Sequence, residues 1–94
     1  MGDYAVFSPS AFKHHETEAD IYRAIETKIY EGRIKGRDNK FALVGFNTKG
    51  NPIEVMYNII DNGSIQVFHA MKARKGVIAQ LERLNGSQDG TNDR

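Results

Sequence analysis

The chain has 94 residues and a mass of 10.6 kDa, with 39% hydrophobic and 27% charged residues; this is the make-up of one soluble globular domain and excludes disorder throughout. Thirteen Lys and Arg against twelve Asp and Glu leave a formal net charge of +1, too small in itself to point to a polyanion partner. Without Cys there is no disulfide framework, thiol nucleophile or Cys-ligated zinc, and no apolar run approaches the roughly 20 residues that span a bilayer, so a cytoplasmic protein with no membrane partner is expected.

Ser8-Pro9-Ser10 opens a first short helix reaching His14 or His15, with Pro9 at the first helical position where its missing donor does no harm. Thr17 then reads as an N-cap with Asp20 three residues on, and Ile21, Ala24 and Ile25 form one apolar stripe on a helix from Glu18 to about Glu26. After this the period shortens to two. Phe41 to Phe46 reads as a central strand, and Asn47 to Pro52 is a turn cluster. Ile53, Val55, Tyr57 and Ile59 then share one face of a strand while Glu54, Met56 and Asn58 share the other.

Asp61-Asn62-Gly63 turns the chain into a further strand, in which alternation groups His69 with Ile65 and Val67. Arg33-Ile34-Lys35 supplies a fourth strand at the edge, and Val77, Ile78, Leu81 and Leu84 have the spacing of a last helix. The expected fold is α+β: two N-terminal helices, a three- to four-stranded antiparallel meander and a C-terminal helix. Residues 1–84 form this single domain, and residues 85–94, which lack any large apolar side chain, form a disordered tail.

Charge is unevenly spread. Lys28, Arg33, Lys35, Arg37 and Lys40 outnumber Glu31 and Asp38 in one segment, and Lys72, Arg74 and Lys75 follow His69 with no acid between them. His14, His15 and His69 are the only histidines, and adjacent imidazoles in a helical turn point about 100° apart, so no metal site is expected. The glycines are scattered and none opens a helix after a strand, which leaves no phosphate loop or dinucleotide fingerprint and hence no cofactor. The run from His69 to Lys75 instead suits a phosphodiester. Cleaving RNA without metal takes a base for the 2′-hydroxyl proton, an acid for the leaving 5′-oxygen and cations for the charge at phosphorus. His69 is the candidate acid or base, with Lys72 and Arg74 beside it as cations. In the competing reading, His69 is a hydrogen-bonded packing residue on the apolar face and the cations are a solvated helix start.

Lys13-His14, then Thr17 capping an acid-rich helix, a strand from Lys40 to Phe46, a turn through Gly50, a strand from Ile53 to Ile60 and a last strand running into Ala70, Lys72, Ala73, Arg74 and Lys75 together resemble the BrnT family. Those proteins are small bacterial toxins of toxin-antitoxin modules, related in fold to the RelE ribonucleases. The resemblance spans roughly residues 7–84. His15 stands where the family reads Gly, and His69-Ala70-Met71-Lys72 stands where it commonly reads Ser-Ala-Arg-Arg, so one of two cations is replaced by Met71. The resemblance implies a metal-independent endoribonuclease that inhibits growth by cutting RNA, free or on the ribosome, and is neutralised by a cognate antitoxin protein. Arg33, Lys35, Arg37, Lys40 and Lys75 would hold the RNA, and His14 is an outside candidate for acid or base. The alternative is a catalytically inactive module that binds nucleic acid or protein through the same basic face.

Overall fold

The computed structural model describes residues 5–36 and 38–92, with side chains to residue 85 apart from Asn62. Among the described residues the chain forms two α-helices and one five-stranded sheet, in the order β1 (Ala5–Phe7), a 3-10 turn (Pro9–Phe12), α1 (Glu18–Glu26), β2 (Tyr30–Arg33), β3 (Phe41–Phe46), β4 (Pro52–Ile59), a second 3-10 turn (Asp61–Gly63), β5 (Ile65–Lys72) and α2 (Lys75–Asn92). No helix among them is long and apolar enough to cross a membrane.

The sheet order is β1-β5-β4-β3-β2. Strands β2 to β5 make the expected antiparallel meander, but β1 pairs with β5 in parallel, Ala5 opposite Ile65 and Phe7 opposite Val67. The sheet is therefore mixed and five-stranded, and the expectation of two N-terminal helices over a purely antiparallel sheet is overturned. The first of those helices is only the four-residue 3-10 turn. It stops because the chain leaves the helical region: His15 sits at φ 72°, in the left-handed region. The edge strand β2 covers Tyr30 to Arg33, two to three residues earlier than the Arg33-Ile34-Lys35 expected.

Helix α1 has the expected bounds. The Thr17 hydroxyl accepts from the Asp20 backbone N–H, and the Asp20 carboxylate accepts from Thr17 in return, a reciprocal cap of two otherwise orphaned donors. Ile21 and Ala24 are buried on one face of the sheet with Ala11, Leu43, Ile53, Val55, Tyr57, Val67 and Ala70. Gly45 of β3 lets α1 approach, since a Cβ there would lie 2.0 Å from the Ala24 carbonyl oxygen.

The opposite face carries α2. Leu81 packs with Ala42, Val44 and Met56, flanked by Val77, Ile78, Tyr30 and Phe68. α2 continues past Leu84 to Asn92, into the segment expected to be a tail; Asp93 and Arg94 of that segment lie outside the described residues. At the open edge of β2, the Asn85 side chain accepts from the Glu31 N–H and donates to its carbonyl, both at 3.3 Å. The amide thereby takes the place a neighbouring strand would occupy.

Candidate active site

A one-residue slip in the sheet creates the site. Tyr57 of β4 faces Val67 of β5, but the next pair is Met56 with His69, so Phe68 is the extra residue of a β-bulge. Val67 belongs to the core under α1, whereas Phe68 packs against the core under α2. His69, opposite Met56, then stays on the α2 side instead of returning to the side of Val67. The alternation read from the sequence fails here, and with it the placement of His69 on the apolar face of Ile65 and Val67.

On that side His69 meets Glu54, which projects from β4 opposite Met71. The Glu54 side chain is 0% exposed and is held by two basic side chains, His69 and Arg74. His69 Nε2 lies 2.9 Å from Oε2; Arg74 donates its backbone N–H to Oε1 at 2.9 Å, and its Nε and Nη2 to Oε2 at 3.0 and 2.5 Å. Arg74 precedes the first residue of α2 and its carbonyl accepts from Ile78 N–H at 3.0 Å, so it is also the helix cap. Burial opposes ionisation of Glu54, but the hydrogen bonds from His69 and Arg74 outweigh it and hold the carboxyl down at about 2. The same pairing pushes the Arg74 guanidinium above its ordinary value.

An ionised carboxylate only accepts, so the proton on neutral His69 sits on Nε2, and Nδ1 keeps its lone pair. The His69 side chain is 20% exposed, and that of Arg74 54%. Two of the guanidinium nitrogens face Glu54, which leaves donors of the five-proton fork for a ligand. Beside them is His14, an exposed residue whose ring lies edge-on to that of His69 with centroids 5.7 Å apart. It reaches this position because β1 pairs with β5 only as far as Val67. From the bulge onward the 3-10 turn runs along the strand, fixed by the Ser10 hydroxyl donating to the Phe68 carbonyl at 2.7 Å.

The cluster thus brings His69 and Arg74 onto Glu54, with His14 against the His69 ring and Lys75 exposed as the next residue after Arg74. Lys72 is not part of it. It stands opposite Ile53, on the α1 side of the sheet, and lines a separate cleft of about 340 Å³ with Glu16, Asn47 and Asn51. Arg33 and Lys35 line another, of about 450 Å³, with Gln80, Arg83 and Leu84 at the β2 edge, roughly three strand spacings, or about 14 Å, from β5. Lys40 is nearer: its ammonium lies 5.6 Å from the Phe68 ring centroid, beside Asn58 and Asp38. Arg37 lies outside the described residues. Among the described residues, no three His or carboxylate side chains gather closely enough to hold a metal ion.

Glu54 is the residue that sequence reasoning missed. A carboxylate in mid-strand, between Ile53 and Val55, is visible as a charge that must find partners if buried; alternation alone sets it only on the face of Met56 and Asn58. No family model, curated protein or solved structure matches the chain. The site's own geometry is what argues for a chemistry.

Proposed function

We propose that this protein is a metal-independent endoribonuclease and the toxin of a toxin-antitoxin pair. The observation that carries the reading is the buried Glu54 carboxylate holding the His69 imidazole and the Arg74 guanidinium side by side, with a second imidazole, His14, against the first. The resemblance of the Lys13-His14 segment and the last strand to BrnT toxins supports it.

In this mechanism Nδ1 of His69 takes the proton of the RNA 2′-hydroxyl. The freed O2′ attacks phosphorus, the bond from phosphorus to O5′ breaks, and protonated His14 gives its proton to the departing O5′. The products are a 2′,3′-cyclic phosphate and a 5′-hydroxyl. Glu54 stabilises the imidazolium formed at His69 and keeps the ring from turning, the role a buried carboxylate plays behind other catalytic histidines. Arg74, permanently charged, neutralises the non-bridging oxygens of the pentacoordinate phosphate. The antitoxin would neutralise the protein by covering this face.

RNA incubated with the purified protein in EDTA should yield fragments ending in 2′,3′-cyclic phosphate, and induced expression should arrest bacterial growth. His69→Ala and Arg74→Ala should each lower the cleavage rate by about 100-fold or more, whereas Lys72→Ala, altered on the other side of the sheet, should cut like the wild type. Intact RNA with unimpaired growth would reduce the protein to the binding module.

A further inference from the structure

We infer that Phe68, flanked by Lys40 and Asn58, is a nucleobase-binding subsite of the His69 centre, which stacks one base of a single-stranded RNA beside the phosphate that is cut. The inference rests on the nuclease reading for its neighbour, but on separate observations for itself.

In a regular strand, consecutive side chains leave by opposite faces and cannot serve one site. The bulge removes that constraint: Phe68 and His69, adjacent in sequence, both project on the α2 side of the sheet. Helix α2 covers this side chiefly over β2 and β3, so the Phe68 ring at β5 is only half-buried. It forms the apolar wall of a cleft of about 260 Å³ whose other walls are polar: Lys40, Asn58 and Asp38.

An aromatic face next to a cation is what an unstacked base and its phosphate need. The base lies on the ring, and the ammonium, on a four-carbon stem that can swing aside, meets the backbone charge. Asn58 is fixed at the end of β4, its Nδ2 donating to the Asn39 carbonyl, while Asn39 bonds both the N–H and the carbonyl of Ile59. That bond anchors the Asn58 amide and uses one of its two N–H donors, so the second N–H and the carbonyl oxygen are the polar groups this cleft wall can offer a base. The Arg33, Lys35 and Arg83 cleft offers cations but no aromatic wall.

The test uses ten-nucleotide 2′-O-methyl RNA, which lacks the attacking hydroxyl, and an abasic oligonucleotide of equal length and charge, with binding read by fluorescence anisotropy on the full chain. Wild type should bind the base-bearing strand more tightly. Phe68→Leu should weaken that binding about 10-fold and leave the abasic strand unaffected, and Phe68→Tyr should restore it. In the wild type, the Phe68 ring-proton resonances should move upfield on titration, a readout that stands even if the Leu variant unfolds. Equal affinity for the two strands, or Phe68 resonances that do not move, would overturn the subsite. Base-dependent binding without cleavage of ordinary RNA would sink the nuclease reading and leave the subsite standing; cleavage with base-independent binding would do the reverse.

Discussion

Glu54 receives four polar contacts, all from His69 and Arg74 among the described residues, so an isosteric replacement tests its charge apart from its shape. Glu54→Gln keeps the volume but presents a neutral amide to a guanidinium and to a histidine. If the protein cuts RNA as proposed, cleavage should fall by about 10⁴-fold, as when the carboxylate behind a catalytic histidine is neutralised, with the acid limb of the pH profile displaced as well. A merely structural Glu54 would leave that profile in place. His15 offers a test of the opposite sign. Its φ of 72° costs an L-residue about 1 kcal/mol that glycine does not incur, so His15→Gly should raise the midpoint of thermal unfolding by a few degrees.

Among the elements, α1 packs directly on β3 at Gly45. Gly45→Ala would drive a methyl carbon to within 2.0 Å of the Ala24 carbonyl oxygen, backbone against backbone, where no side chain can rotate away. Denaturant titration should show a loss of about 3 kcal/mol. The elements that sequence made legible are those whose signals are local: the Thr17 and Asp20 cap and α1 behind it, the apolar run of β3, and the alternation of β4. Those it hid are set by distant partners. Three residues, Ala5 to Phe7, show no period of their own and become a strand only because β5 accepts them. The bulge at Phe68 is likewise invisible from β5 alone, since it is a mismatch between two strands 12 residues apart, Tyr57 to His69. That one slip decided the site: it moved His69 to the side of Glu54 and left Lys72 on the other.

For the molecule as a whole, acid should be the weak side. Glu54 ionises at about 2 in the fold against 4.5 ordinarily, and Asp20 is held below its ordinary 3.8 by hydrogen bonds from the Thr48 side chain and from Thr17. Carboxyls depressed by folding stabilise it fully above their ordinary values, and that stability drains away as pH falls toward the folded ones. Melting temperatures should therefore hold near pH 5 and drop steeply between pH 4.5 and about 2, less steeply in Glu54→Gln. For the proposed RNA site, salt dependence would report how many cations grip the strand. With Lys40, Arg74 and Lys75 on the site's side and Arg33, Lys35 and Lys72 elsewhere, about three phosphates are neutralised, which predicts a slope of log affinity against log salt near about −2 for single strands. A slope near about −4 would mean that the distant clefts grip the same strand.

The parallel pairing of β1 with β5 also fixes when the two imidazoles can meet. Ala5 waits for Ile65, and His14 waits for His69; the two imidazoles cannot meet before β5 has been synthesised, and pairings of such long sequence separation are slow to form. If the chain is the RNA-cutting toxin proposed above, it stays an inert thread until β5 is made and β1 has docked on it, and that interval is the window in which an inhibitor would capture it.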